Sequence, residues 1–284
     1  MMPFKASAMP WAFMVLLLAA SANGAGRMLQ QGASAGGGSV EVKLPPTSGT
    51  AKSPPTVELG DAEAFTVLSY ATVTNTGPTD IGGYIGVAAG SAVTGEDTMT
   101  YTYSDTTAFP NGGRANTSYA ASAKLDVTTA YNDAASRTAN VVNINQVDVG
   151  GLTFTPGLYK TTTALEVSAG DLTLSGEGNS SGVFIFQIKT TFEVRTGRKI
   201  ILTNQAQACN VFWQLGSAGL FEVDSEVVGT VLGESKVVLQ TRAKIEGRLF
   251  SNNAAVTLDS NEVDFPDEET GTGIINPGPI VINP

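Results

Sequence analysis

Short apolar segments recur at regular intervals between Gly182 and Asp264. Three kinds of segment follow one another and then return, after roughly 18 or 19 residues in the later part and about 28 in the earlier part. Turns rich in Gly, Asn, Ser and Thr separate them, which predicts coils of three short strands stacked into a parallel solenoid. The first segments are 183–188, 211–215, 230–232 and 248–250; the second are 192–194, 221–223, 237–239 and 256–258; the third are 200–202, 227–228, 245–246 and 263–264.

The second and third segments alternate, so that Phe192 and Val194 are expected to face inward and Glu193 outward. The first segments are apolar on both sides, and something must therefore cover them. Residues 114–137 lack Gly and Pro and place Ala at helical spacing, which predicts a helix lying on the first segments. The predicted fold class is all-β: a right-handed parallel β-solenoid of triangular section with one long α-helix packed alongside.

The ends of the chain have a different character from this body. Residues 1–22 carry a basic residue and a short apolar run ending in Ala-Ser-Ala, as a secretory signal peptide does. Residues 23–56 are rich in Gly, Ser and Pro and predict a disordered leader. The solenoid domain is expected over 57–265, with a capping excursion at 96–113, and a flexible, acidic, Pro-rich tail over 266–284. The expected location is therefore extracellular.

Composition excludes several classes of partner and of catalytic or metal site. A net charge of −10 with no basic cluster argues against nucleic acid and anionic membranes as partners. The chain has no His, which removes Ser/His and Cys/His nucleophile systems and the common zinc sites, and its one cysteine, Cys209, is expected to be a buried, inert thiol. Glu222, Asp224 and Asp259 with Arg195 could form an acid/base site, but a solvated charge ladder is the better interpretation. No catalytic residue, metal or cofactor is predicted.

Several motifs occur in an order that resembles a known family. They are Asn75-Thr76-Gly77-Pro78, Ala130-Tyr131-Asn132-Asp133-Ala134-Ala135, Thr155-Pro156-Gly157-Leu158-Tyr159-Lys160, Val183-Phe184-Ile185-Phe186-Gln187-Ile188, Ala206-Gln207-Ala208-Cys209-Asn210-Val211-Phe212-Trp213-Gln214 and Gly247-Arg248-Leu249. Over roughly residues 57–264 the sequence resembles the microbial ice-binding protein family, whose fold is an irregular β-solenoid with a helix alongside. The resemblance agrees with the fold that the periodicity predicts.

The resemblance implies adsorption to ice through one flat face, formed by the second segments and carrying outward Thr, Ser, Ala and Gly. Carried onto this sequence, the outward positions are expected in three columns. These are Thr191, Leu220, Lys236 and Ala255; then Glu193, Glu222, Val238 and Thr257; then Arg195, Asp224, Gln240 and Asp259. The first two columns are the candidate ice-binding residues. Thr191, Ala255 and Thr257 fit the expected chemistry, whereas the charged members depart from it, and Thr72, Thr74 and Thr76 or the run 161–163 offer alternative patches.

The expected function is therefore that of a secreted, monomeric ice-binding protein causing thermal hysteresis or inhibiting ice recrystallisation. The alternative is a relative that has lost ice affinity and acts as a glycan-binding or structural extracellular protein.

Overall fold

The structure is a computed structural model that describes residues 47–48, 51–89, 92–102, 115 and 117–266. The described residues contain 22 strands, one α-helix, α1 (Thr117–Ser136), and 3-10 helices at Gly60–Ala64, Glu96–Thr98 and Ala208–Asn210. The strands are β1 (Thr47–Ser48), β2 (Phe65–Ser69), β3 (Val73–Thr76), β4 (Thr79–Ile81), β5 (Tyr84–Val87), β6 (Val93–Thr94), β7 (Met99–Tyr101), β8 (Val141–Ile144), β9 (Thr153–Phe154), β10 (Gly157–Thr161), β11 (Leu165–Val167), β12 (Leu172–Ser175), β13 (Phe184–Ile188), β14 (Phe192–Val194), β15 (Ile200–Thr203), β16 (Val211–Leu215), β17 (Gly219–Phe221), β18 (Glu226–Gly233), β19 (Val237–Leu239), β20 (Lys244–Ser251), β21 (Val256–Asp259) and β22 (Glu262–Asp264).

The strands form three faces of a parallel β-solenoid, as predicted. The first face contains β8, β10, β13, β16, the C-terminal halves of β18 and β20, and then β2 and β5. The second face contains β11, β14, β17, β19, β21, β3 and β6 in that spatial order. The third face contains β9, β12 and β15, followed by the N-terminal halves of β18 and β20 and by β22, β4 and β7. Long strands β18 and β20 turn the corner between the third and first faces without a break.

The coils do not stack in chain order. Strands β2, β3 and β4, from the start of the domain, pair in parallel with β20, β21 and β22 at its end. Helix α1 then carries the chain along the stack to β8, from which the coils progress back. A 20-residue helix is about 30 Å long, close to the roughly 33 Å spanned by the eight strands of the first face. The helix thus fits the length of the face that it covers.

Helix α1 packs against the first face through one stripe. Its buried residues fall three or four positions apart, at Ala120, Ala123, Val127, Ala130 and Ala134. They share an apolar cluster with outward residues of the first face, namely Ile185, Phe212, Leu232 and Phe250. The prediction of a helix over 114–137 on the first segments is confirmed, with its start at Thr117. No helix in the described part of the chain has the length and apolarity that a membrane span requires.

The interior of the coils is lined by aromatic side chains. Trp213 is fully buried and stacks between Phe186 and Phe192, with ring centroids 4.4 and 4.5 Å apart. Its indole Nε1 donates a hydrogen bond to the carbonyl of Val228 at 2.8 Å, so the one polar atom of the ring is satisfied inside the core. Such a packed interior makes the outer faces rigid.

Several local predictions need correction. The excursion predicted over 96–113 begins instead as regular structure, because the 3-10 helix Glu96–Thr98 leads into β7, which pairs with β4 and extends the third face. Residues 103–113 lie outside the described residues. Cys209 is partly exposed in a 3-10 turn. The end of the predicted leader is ordered: β1 pairs antiparallel with β8, and Ser53 Oγ accepts a hydrogen bond from the amide of Val183 at 3.0 Å. The signal peptide and residues 267–284 of the tail also lie outside the described residues.

Candidate functional site

The second face presents one outward residue at the centre of each of its strands. Register places these residues in a single column: Glu166, Glu193, Leu220, Val238, Thr257, Thr74 and Thr94. Neighbours in the column are one strand apart, about 4.8 Å. Except at Thr94, the residues on either side of each, such as Val73 and Val256, are buried. The column therefore runs along a sheet whose underside is fixed by the core.

The columns predicted from sequence are wrong at one coil. The strand there is Gly219–Phe221, so Leu220 lies beside Glu193, and Glu222 lies beside Arg195. The amide of Glu222 donates to the carbonyl of Val194 at 2.9 Å, as this register requires. Asp224 leaves the face altogether, in a turn with φ of 57°.

The physical reason is the glycine at an inward position. A Cβ on Gly219 would lie 3.3 Å from the Phe221 ring, so that ring fills the space that a larger inward side chain would take. Phe221 consequently sits opposite Val194 rather than opposite Phe192.

Two columns flank the central one. Backbone hydrogen bonds across the strands place Thr191, Ala218, Lys236, Ala255, Thr72 and Ala92 on one side. The other side carries Arg195, Glu222, Gln240, Asp259 and Thr76. Every candidate residue predicted from sequence thus lies on the second face, although Leu220 and Glu222 change columns.

One half of the second face is charged. Arg195 reaches Glu166, Glu193 and Glu222, with N–O distances of 3.0, 2.9 and 2.9 Å. Partial burial alone would raise the pKa of Glu222, but hydrogen bonds from Arg195 and from the amide and hydroxyl of Thr196 hold that pKa below its ordinary value. Glu222, Glu166 and Glu193 in turn raise the pKa of Arg195, so Arg195 and Glu222 form an ion pair at neutral pH. Strongly hydrated charges dominate this half.

The other half of the second face is built from Thr, Ala and Val. We call it the threonine patch, defined as Val238, Ala255, Thr257, Thr72, Thr74 and Thr94. It spans four coils and contains no charged residue. Lys236 is exposed at its margin, and Asp259 is engaged by the hydroxyl of Thr241 at 2.5 Å.

Stacking of the N-terminal strands creates this patch. Thr74 lies directly beside Thr257 because β3 pairs with β21. The predicted alternative at Thr72, Thr74 and Thr76 is therefore the continuation of the predicted face and not a separate site. The signal in the sequence is the Thr-Val-Thr alternation around Val73, which matches the inward and outward pattern of the later coils.

The remaining faces are less suited to a flat, uncharged contact. Helix α1 covers the first face. The third face carries a column of alternating charges, Lys199, Glu226, Lys244 and Glu262, with ion pairs from Lys199 to Glu226 at 2.7 Å and from Lys244 to Glu262. The run 161–163 lies at a corner, where the buried hydroxyl of Thr161 donates to the carbonyl of Thr163.

Comparisons with known proteins agree with this architecture. Residues 67–264 match the model of the family described as "Ice-binding-like". An ice-binding protein of Nostoc sp. (strain HG1) is 37% identical over 207 residues, which is 72% of each chain. The crystal structure of an ice binding protein from an Antarctic biological consortium superposes with a TM-score of 0.70 at 36% identity, covering 81% of this chain and 97% of that one. That of the ice-binding protein from Antarctomyces psychrotrophicus gives 0.68 at 34% identity, covering 75% and 99%. Family match, identity and shared fold together place this chain in the ice-binding-like family.

Proposed function

We propose that this protein is a secreted monomer that adsorbs to ice through the threonine patch, and that adsorption causes thermal hysteresis or inhibits recrystallisation. The observation that carries the proposal is the central column of the patch, which is uncharged and regularly spaced over four adjacent coils, at Val238, Thr257, Thr74 and Thr94. The names of its relatives, which are ice-binding proteins, support the same function. Secretion rests on the signal-like residues 1–22.

The physical argument is one of hydration. A charged group holds its water strongly, and removing that water is costly. Threonine offers a methyl group and a hydroxyl that can order water without such a cost. Because Val73, Val256 and Leu258 beneath the patch are fully buried, the hydroxyl positions are held at fixed spacings. A rigid array loses little conformational entropy when it meets a crystal surface.

The alternative, loss of ice affinity, is favoured by the charged half with Glu166, Glu193 and Glu222. The two hypotheses differ in which half of the face matters. In our proposal the activity resides in the threonine patch and the charged half contributes little. Catalysis plays no part.

The experiment is a recrystallisation assay, with crystal shape recorded during slow cooling, on the protein without residues 1–22. We expect arrested coarsening and faceted crystals. Thr74→Tyr should abolish both effects, because a ring at the centre of the patch holds Thr257 and Thr94, each about 4.8 Å away, off a flat surface.

The matched control is Glu193→Tyr, in the same column and about 19 Å from Thr74. It should leave the activity nearly unchanged. Round, freely coarsening crystals with the unmodified protein would refute the function. Equal losses in both variants would instead refute the assignment of the site to the threonine patch.

A further inference from the structure

A polar groove lies between the C-terminal half of α1 and the ends of strands β10, β13 and β16. Its volume is about 490 Å³, within the range of small-ligand sites. The helix contributes Tyr131 and Ala135, and the strands contribute Lys160, Gln187 and Gln214. It belongs to the first face, so it is separate from the threonine patch.

The floor of the groove interrupts the apolar character of the first face. Register aligns Lys160, Gln187, Gln214 and Leu232 on successive strands, so the outward side chains change from apolar to polar where the groove begins. Gln187 is buried, and its Nε2 donates to the carbonyls of Ala134 and Arg137, both at 2.8 Å. These two hydrogen bonds fix the end of the helix over the floor of the groove, and the groove is therefore preorganised.

The charged groups around the groove point to the chemistry of a ligand. Lys160 and Lys189 are exposed at one end and form no ion pair within the described part of the chain, in contrast to Lys199 and Lys244. Two ammonium groups without carboxylate partners suit an anionic group on a ligand.

The opposite end of the groove accepts and donates hydrogen bonds. Glu234 lies there, held by the side-chain amides of Asn252 at 3.2 Å and Asn253 at 2.7 Å. Tyr131 lines the groove close to Glu234, and its pKa is raised by burial and by the charge of Glu234, so its hydroxyl stays protonated. An aromatic ring with a polar tip, beside amides and a carboxylate, matches a ligand that has apolar ring faces and several hydroxyl groups.

We propose that this groove binds an acidic saccharide, with a uronate carboxylate at Lys160 and Lys189 and the sugar hydroxyls toward Tyr131 and Glu234. The ligand is either a free oligosaccharide or a unit within an extracellular polysaccharide. Because the groove and the threonine patch are on different faces, a saccharide and an ice surface do not compete for the same residues. The inference does not depend on ice binding.

The test is an NMR titration of the labelled protein with a di- or trigalacturonate and with its neutral galactose counterpart, at 150 mM salt. We expect saturable shifts of groove amides with the uronate and at least tenfold weaker binding of the neutral sugar. Lys160→Gln and Lys189→Gln should each weaken uronate binding about tenfold. Lys52→Gln, an equal charge change at an exposed residue that does not line the groove, should not.

A second variant distinguishes binding in the groove from general electrostatic attraction to the protein surface. Ala135→Leu leaves the charge unchanged but occupies the groove from the helix side, and we expect it to abolish binding while the melting temperature is retained. Equal effects of the Lys52 and Lys160 variants, undiminished binding by Ala135→Leu, or equal binding of the neutral sugar would overturn the proposal. Pull-down with insoluble polygalacturonate distinguishes a polymer from a free oligosaccharide as the ligand. Retention of the protein that trigalacturonate displaces indicates that the groove binds units of a polymer. Saturable binding of the oligomer without retention on the polymer indicates a free oligosaccharide.

Discussion

The Arg195 cluster offers a test of how the charged half of the second face is stabilised. In Arg195→Gln three carboxylates lose a shared partner that now lies 2.9 to 3.0 Å from each. The Arg195 side chain is 42% exposed and the carboxylate side chains 20 to 25%. Partly exposed pairs contribute at most about 1 kcal/mol each. Repulsion between carboxylates on adjacent strands adds roughly 1 kcal/mol in a water-like dielectric.

We therefore expect Arg195→Gln to lower the free energy of unfolding by about 2 kcal/mol at pH 7. The loss of unfolding free energy caused by Arg195→Gln should be smaller at low pH. The folded-state pKa of Glu222 lies below its ordinary value of 4.5, so its contribution to stability is present above that pH and is lost as the pH falls through the folded-state pKa. Once Glu222 is protonated, its ion pair with Arg195 no longer stabilises the folded state.

The assay is urea denaturation of both proteins at pH 7 and pH 3, with Arg195→Lys and Arg198→Gln as controls. Arg195→Lys keeps one charge and should recover part of the loss. Among the described residues Arg198 forms one ion pair, with Asp171 at 3.7 Å, and its replacement should have a smaller effect. An unchanged stability at pH 7, or a difference of the same size at pH 3, would show that the cluster is a solvated set of charges without net stabilisation.

Three further predictions concern the second face, the core around Trp213 and the buried amine of Lys124. Glu166→Thr together with Glu193→Thr makes the central column of the second face uncharged, and thermal hysteresis should rise if ice binds there; unchanged hysteresis would limit the site to the existing patch. Trp213→Phe keeps the ring stack but leaves the buried carbonyl of Val228 without its donor, and chemical denaturation should show a loss of about 1–3 kcal/mol; a smaller loss would mean that the bond contributes little. Burial lowers the pKa of Lys124 in the folded state, so between that pKa and the ordinary value of 10.5 the unfolded state binds more protons. The stability of the protein relative to Lys124→Met should therefore rise as the pH approaches 10.5 from below, and a difference that does not change with pH would contradict this.

The sequence by itself determined the three segments of each coil, the helix and the face on which it packs, and the family. Each of these depends on a local pattern. Alternation of apolar residues assigns a side chain to the inside or the outside of a coil, and the Gly-free, Ala-rich run around Ala120 and Ala130 sets a helix with a narrow packing stripe.

Only the tertiary structure decided which outward residues are neighbours. Reading 221–223 in place of Gly219–Phe221 is a shift of two residues, and such a shift leaves every side chain on its own face while moving it to another column. Pairing of β3 with β21 joins segments from opposite ends of the domain and sets Thr74 beside Thr257. Register depends on contacts between strands, such as the Phe221 ring above Gly219, and these contacts exist only once the coils have stacked.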